Sequence, residues 1–278
     1  MTISGKTVLV AHLGYPTEAF KAPMIYNPWF EKAGIDAVVV PMGVQAADYP
    51  QVLGALARLS NLRGALVTMP HKVSTLSLVA DATPTAHIAG ACNALLKRAD
   101  GSWLGDQFDG EGFVRGLRRK GRRIDAARAI VNGAGGVGSA IAASLAAAKI
   151  GSLLLHDRDI AVAQALAARL RAHYPTLEVR TGANDPAGFE IVVNATPLGM
   201  ADGDPLPFDT ARIAPSSIVG DVVMKSEFTP LLDAARARGC AVQVGTDMLF
   251  EMIPCYLEFF GFGSASADEL RAVAQIRY

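Results

Sequence analysis

The sequence predicts an α/β protein of two domains: an N-terminal domain on a mostly parallel sheet, then a dinucleotide-binding domain. Three observations predict it. Short apolar, often β-branched runs alternate with helix-like segments along nearly all of the 278 residues. Residues 129–158 read strand, glycine turn, small-residue helix, strand and acid, in that order. Hydrophobic residues make up 51% and charged residues 19%, enough for full cores and too apolar for a disordered chain.

Taken in order, Thr7–His12 is a buried strand, turned by Gly14-Tyr15-Pro16. Ala19–Ala33 is a helix candidate that Gly34 stops, and Pro28 predicts a break or kink inside it. Ile35–Pro41 is a strand, Tyr49–Leu59 a helix, and Arg63–Thr68 a strand that runs into Met69-Pro70-His71-Lys72. Val73–Ala80 reads as helical, and Thr83-Pro84 caps a short helix to Ile88. Ala91–Lys97 and Ser102–Gly105 flank an Asp100-Gly101 hairpin turn. Asp109-Gly110 marks the passage to the second domain, and Glu111–Arg119 is a helix. The basic run at its end, Arg118-Arg119-Lys120 with Arg122-Arg123, reads as a solvated helix end, with added attraction for cofactor phosphates as the alternative.

The glycine turn is the strongest single signal. Gly133-Ala134-Gly135-Gly136-Val137-Gly138 follows the strand Ala129–Val131 and opens a helix, and Leu153–Leu155 then leads to Asp157. Gly133 permits a tight turn, Gly135 a close approach of backbone to a pyrophosphate, and Gly138 a close packing of helix on strand. This predicts a Rossmann unit. Beyond it, Ile160–His173 is a helix, while Leu177–Arg180, Phe189–Ala195, Ile218–Val223 and Ala241–Val244 are strands. Thr229-Pro230 starts a helix, and Met248–Phe260 and Ala267–Ile276 are the last helices.

Formal net charge is zero, which recommends neither a nucleic-acid nor a membrane partner. The opening MTISGKTVLVAHLG predicts neither a secretion signal nor a membrane span. Cys92, Cys240 and Cys255 lack CxxC spacing and read as buried, reduced thiols of a cytoplasmic protein. The five histidines have no metal-ligand spacing, so no metal is expected.

A set of short motifs completes the reading: Gly14-x-Pro16, Val67-Thr68-x-Pro70-x-Lys72, Gly90-Ala91-Cys92-Asn93, Gly105-Asp106-x-x-Asp109-Gly110, the glycine turn, and Asn194-Ala195-Thr196-Pro197-Leu198-Gly199-Met200. Asp221-Val222-Val223, Thr229-Pro230-Leu231-Leu232 and Gly245-x-x-Met248-Leu249 follow. In these motifs the chain resembles the shikimate dehydrogenase family over nearly its whole length. The resemblance implies a substrate domain of residues 1–108 with 245–278, a Rossmann domain of residues 109–244, and an active site in the interdomain cleft. It implies reversible hydride transfer between a nicotinamide and a ring CH–OH or ketone, for a monomer or homodimer acting on a small hydroxylated cyclic molecule.

The same resemblance assigns residues. Lys72 and Asp109 match the catalytic pair, and Thr68 and Asn93 match substrate contacts; His71 has no matching role and is expected at the surface. Cofactor contacts fall to Gly133, Ala134, Gly135, Gly136, Val137, Gly138, Asp157, Arg158, Asn194, Ala195, Thr196, Pro197, Val222 and Gly245. Many family members use NADP and carry Asn-Arg-Thr after the second Rossmann strand, with a further basic residue three positions on. Here the segment is Asp157-Arg158-Asp159, with Val162 at the later position. Two carboxylates repel a ribose phosphate, so NAD is expected to be preferred, with NADP possible.

Other departures lie on the substrate side. The family's S-x-S-P, whose serines hold the substrate carboxylate, is Phe20-Lys21-Ala22-Pro23. Met224 replaces a tyrosine, Met252 a glutamine, and Leu66 an asparagine; Gln107-Phe108 replaces N-T. Lost polar contacts mean lost discrimination. These changes predict a shikimate- or quinate-dehydrogenase-like paralogue with a more apolar pocket around Phe20, Ala22, Met224 and Met252, and with Lys21 either solvated or a replacement positive charge. The alternatives are an authentic shikimate or quinate dehydrogenase whose carboxylate anchor has moved, and a non-catalytic nucleotide-binding sensor. Retention of both Lys72 and Asp109 argues against the sensor.

Overall fold

The structure, a computed structural model, describes residues 2–277. The chain divides into two compact units: residues up to Phe108 together with those from Met252 onward, and Asp109–Glu251.

The first unit holds β1 (Val8–Gly14), α1 (Pro23–Ala33), β2 (Ala37–Gly43), α2 (Tyr49–Leu56), β3 (Leu62–Val67), α3 (Lys72–Thr75), β4 (Asp81–Ala82), α4 (Pro84–Ala89), β5 (Ala94–Lys97) and β6 (Trp103–Asp106). Their sheet has the order β2-β1-β3-β5-β6-β4. β1 pairs in parallel with both β2 and β3, and β4 with β6, while β5 is antiparallel to β3 and β6. Strand order reverses at β1, because α1 carries the chain to one side and α2 to the other. In an open α/β sheet such a reversal leaves a crevice outside the carboxyl ends of the strands, here between β1 and β3.

Alternation along the strands separates two faces. Ala11 and Leu13 of β1, with Ala65 and Val67 of β3, pack with Tyr49, Leu53, Cys92 and Leu95 in one buried cluster. His12 and Leu66, which pair in register, belong to the opposite set. On that side α1 buries Ile25, Tyr26, Trp29 and Phe30.

Several expectations are revised. α1 runs through Pro28 as one helix from Pro23 to Ala33. The helix expected over residues 73–80 is a single turn, Lys72–Thr75, and the two-residue strand β4 follows it. Thr83 caps α4 by accepting from the Ala86 N–H at 3.3 Å.

The second unit holds α5 (Asp109–Arg119), β7 (Arg128–Asn132), α6 (Gly136–Ala147), β8 (Ser152–His156), α7 (Ile160–His173), β9 (Glu178–Thr181), β10 (Ile191–Asn194), β11 (Ile218–Asp221), α8 (Pro230–Ala237) and β12 (Ala241–Gln243). Its sheet, β12-β11-β10-β7-β8-β9, is parallel throughout. This is the doubly wound order, with its switch point between β7 and β10.

Two helices end the chain, α9 (Gly245–Phe260) and α10 (Ala267–Val273). The division falls inside α9, after Glu251, rather than at the expected Val244–Gly245 step. The first turns of α9 are tied to the second unit by Lys120–Asp247 at 2.9 Å and Arg119–Glu251 at 3.3 Å. Those pairs also engage part of the basic run that was expected to be solvated. Among the described residues no helix is long and apolar enough to cross a membrane.

Candidate active and cofactor sites

In the first unit, register brings the functional candidates to one edge. His12 pairs with Leu66, Leu66 with Ala94, and Ala94 with Asp106. Thr68, Asn93 and Gln107 each lie just beyond this row. Backbone bonds fix them: the Thr68 N–H donates to the Leu13 carbonyl at 2.8 Å, and the Asn93 N–H to the Asp106 carbonyl at 2.9 Å. The Asn93 carbonyl accepts from the Val67 N–H at 2.8 Å and from the Tyr256 hydroxyl at 3.1 Å.

The Asn93 side chain is buried and oriented. Its Oδ1 accepts from the Phe108 N–H at 2.9 Å. Its Nδ2 meets no hydrogen-bond partner among the described residues. A buried amide donor left without a partner costs about 1–3 kcal/mol.

Lys72 opens α3, half-buried, and its carbonyl accepts from the Cys92 N–H at 2.8 Å. The residue before it corrects an expectation. His71 is buried rather than at the surface: its Nε2 bonds the Val44 carbonyl at 2.8 Å, and its ring stacks on Tyr49 with centroids 4.0 Å apart. Thr75 Oγ1 donates to the His71 carbonyl at 2.8 Å and meets the Tyr49 hydroxyl at 2.7 Å. These contacts seat the turn that carries Lys72.

Phe20 lies in the loop before α1, half-buried, with its ring stacked on His12 at a centroid distance of 4.1 Å. Ala22 is buried at the start of α1. Lys21 is half-buried, and its Nζ donates to the Arg277 carbonyl. Of the cysteines, Cys92 and Cys240 are buried and Cys255 is half-buried; none is in a disulfide. Burial, then the nearby Asp106, pushes the Cys92 thiol up to about 12, which keeps it protonated. Met252, in α9, is half-buried.

In the second unit Gly133 follows β7 with φ 100°. A Cβ on Gly138 would stand 1.8 Å from the Gly133 carbonyl oxygen, so the helix meets the strand end backbone to backbone. A Cβ on Gly135 would meet nothing within 4 Å: the space over it is open. α6 begins there, capped by no side chain, and the first N–H groups of a helix have no partner within it. Ala134, Gly136 and Val137 complete this turn.

Asp157, at the end of β8, shapes the turn. Its Oδ2 accepts from the Ala134 N–H at 2.7 Å, and its Oδ1 from the Asp159 N–H at 3.0 Å. Asp159 caps α7 through the Ala161 N–H at 3.0 Å, and Arg158 is exposed.

In the loop after β10, the side chain of Asn194, a residue expected at the cofactor, is engaged within the protein. Asn194 is fully buried, and its Nδ2 donates to Asp221 Oδ1 at 3.0 Å and to the Leu198 carbonyl at 3.1 Å. Its Oδ1 accepts from the Thr196 hydroxyl at 2.6 Å and N–H at 3.1 Å. Asp221 also accepts from the Thr229 hydroxyl at 2.6 Å, and burial raises its pKa. The side chain of Asn194 therefore holds the Ala195-Thr196-Pro197 loop in shape. That loop lies beside the glycine turn, where the Ala195 carbonyl oxygen would stand 2.7 Å from a Cβ on Gly133. Met224 packs on Gly245, whose Cβ would stand 2.7 Å from Met224 Cγ, and Val222 is half-buried nearby in sequence.

Asp109 is buried at the first residue of α5. Gly110 explains why glycine follows: a Cβ there would stand 2.0 Å from the Ala140 carbonyl oxygen of α6.

Comparison with known proteins decides the family. Residues 13–95 match the shikimate dehydrogenase substrate binding domain. Over 277 residues the chain is 37% identical to the shikimate dehydrogenase (NADP(+)) of Rhodospirillum rubrum, covering 97% of this chain and 98% of that protein. The chain belongs to the shikimate dehydrogenase family. It is thereby an NAD(P)-dependent oxidoreductase of the class acting on CH–OH groups. Among solved structures it is similar to shikimate 5-dehydrogenase from Listeria monocytogenes in complex with shikimate and NAD, with a TM-score of 0.88, 26% identity and 98% of each chain covered. It is also similar to quinate dehydrogenase from Corynebacterium glutamicum in complex with NAD, with a TM-score of 0.85, 28% identity, and 96% of this chain and 98% of that one covered. The family's dinucleotide fits the second unit as built: open space over Gly135, a bare helix N-terminus, and a carboxylate at the end of β8.

Proposed function

We propose that this protein transfers a hydride reversibly between nicotinamide and a ring CH–OH or ketone, on a substrate not anchored by its carboxylate in the usual way, and that it favours NAD over NADP. The observation that carries the reading is the stacked pair His12–Phe20 with Ala22 buried beside it in sequence. Where the resemblance places two carboxylate-binding hydroxyls, this chain has an aromatic ring and a methyl group.

The chain's own residues then divide the work. Lys72 and Asp109 are the catalytic pair of this reading: the Lys72 side chain donates to the oxygen on which alkoxide character develops, and the Asp109 carboxylate takes a substrate hydroxyl. Thr68 and the spare Nδ2 of Asn93 take substrate hydroxyls. The backbone N–H groups of Gly135, Gly136, Val137 and Gly138 would hold the pyrophosphate of a nicotinamide dinucleotide, which would supply or accept the hydride. Asp157 and Asp159 place two carboxylates at the end of β8, and Val162, exposed on α7, supplies no cation there. That supports NAD.

A second reading has an observation of its own. Relatives 37% and 38% identical, from Rhodospirillum rubrum and Acidiphilium cryptum, are named shikimate dehydrogenase (NADP(+)). It makes this chain an authentic shikimate dehydrogenase with a relocated anchor. Steady-state kinetics with shikimate and quinate, each with NAD and NADP, separate the two. Efficiency with shikimate below about 10⁴ M⁻¹s⁻¹ is expected. Efficiency above that range establishes the second reading, and a tenfold preference for NADP, about 1.4 kcal/mol, removes the cofactor assignment.

A further inference from the structure

His12 is a titratable side chain for which the chemistry above has no use. It lies near the carboxyl end of β1, beside the point where strand order reverses between β1 and β3 and where an α/β sheet presents its ligand crevice. It is buried, yet its Nδ1 meets no hydrogen-bond partner among the described residues. Phe20 stacks on it with the rings 28° apart. Gly14, two residues on and so on the same face, leaves room for Phe20 and Thr68 to converge: a Cβ there would stand 2.9 Å from Phe20 Cζ and 2.4 Å from Thr68 Cγ2. Thus His12, Phe20 and Thr68 form one wall, and the Lys72 charge acts on the imidazole from close by.

We propose that His12 is a specificity-determining residue: its imidazole hydrogen-bonds a hydroxyl of an uncharged, polyhydroxylated ring, against which Phe20 sets an aromatic surface. The inference rests on the dehydrogenase reading of this site and gives it a substrate class. A buried nitrogen without a partner is a cost to the folded chain that a ligand hydroxyl removes. Burial first, and the Lys72 charge second, lower its pKa from 6.5 to about 3. The imidazole is therefore neutral at working pH, a partner for a hydroxyl rather than a counter-ion for a carboxylate. Phe20 adds an apolar, aromatic surface of the kind that packs against the carbon face of a ring.

The test uses shikimate and its methyl ester, two rings that differ in charge, with wild type, His12→Leu and His12→Gln. Wild type is expected to turn over the ester with at least tenfold higher efficiency than the acid. His12→Leu should raise KM for the ester at least tenfold with kcat changed less than threefold, and His12→Gln should recover most of that loss. The melting temperature of His12→Leu should equal or exceed that of wild type, since an orphaned polar group is removed; this separates recognition from a structural role. An unchanged KM for the ester in a folded His12→Leu overturns the proposal, as does a wild-type preference for the acid. If wild type reduces neither NAD nor NADP with either ring, calorimetric titration with the ester decides. Binding by wild type that His12→Leu loses keeps His12 and removes the dehydrogenase reading; no binding by wild type removes both.

Discussion

In the sites proposed here, the second sheet offers a ligand main-chain N–H groups at its carboxyl end, whereas the first offers side chains. Around Gly133–Gly138 the neighbouring side chains are engaged with the protein itself: Asp157 bonds the turn, Asp159 caps a helix, and Asn194 bonds its own loop. Around β1 and β3 the side chains of His12 and Asn93 each keep a buried nitrogen without a partner among the described residues. A backbone site requires glycines, whatever the organism does with the product. A side-chain site changes with each substitution. The departures from family pattern at Phe20 and Ala22 fall in the side-chain site, and the glycine turn is intact.

Four substitutions sharpen or break this contrast. The largest effect is expected from Lys72→Ala, which should lower kcat about 10²- to 10⁴-fold. Nucleotide affinity, measured by fluorescence titration, should stay within twofold. An equal loss of both would show that the two sites are not separable in this way.

Next come two glycines of one turn with opposite expectations. Gly138→Ala puts a methyl into the Gly133 carbonyl and should destabilise the fold by about 3 kcal/mol, read as a shift in urea midpoint. Gly135→Ala meets open space and should leave stability within about 0.5 kcal/mol, while NAD affinity falls tenfold or more. Equal stability losses at the two positions would contradict the backbone account of the cofactor site.

The smallest effect is in pH. With its pKa near 3 when folded and 6.5 when unfolded, His12 binds a proton more readily in the unfolded chain between these values. Stability therefore falls as pH drops from about 6.5 toward 3. Between pH 7 and pH 5 the loss is about 2 kcal/mol, and His12→Leu should lack it. The difference between the two unfolding profiles at pH 5 is the measurement.

How legible the molecule was follows the same division. The glycine turn, with its strand, helix and Asp157, was readable because the backbone leaves no choice of residue: Gly138 admits no Cβ. The alternating elements were readable from apolar periodicity. His12 was not, because it sits in Val8–Gly14, a run that reads as core strand throughout, and only register reveals that it faces Phe20. His71 was missed for a related reason: its partners, Val44 and Tyr49, are more than twenty residues away in sequence. Asn194 was expected at the cofactor from its motif alone; that its side chain shapes the loop carrying the motif became visible only in the fold. Pro28 was expected to break α1, which nevertheless spans it, with Trp29 and Phe30 buried directly after it.

The alternation of β1 and β3 has a consequence for how this protein changes over generations. Ala11, Leu13, Ala65 and Val67 look into a packed cluster, while His12 and Leu66, one residue away, look to the other face. A mutation at the first set is filtered by folding, whereas under the role proposed for His12 a mutation there is filtered by what the enzyme is asked to bind. Under that role, lineages can explore new ring substrates one codon at a time at position 12, without first having to rebuild the core that keeps the strands in place.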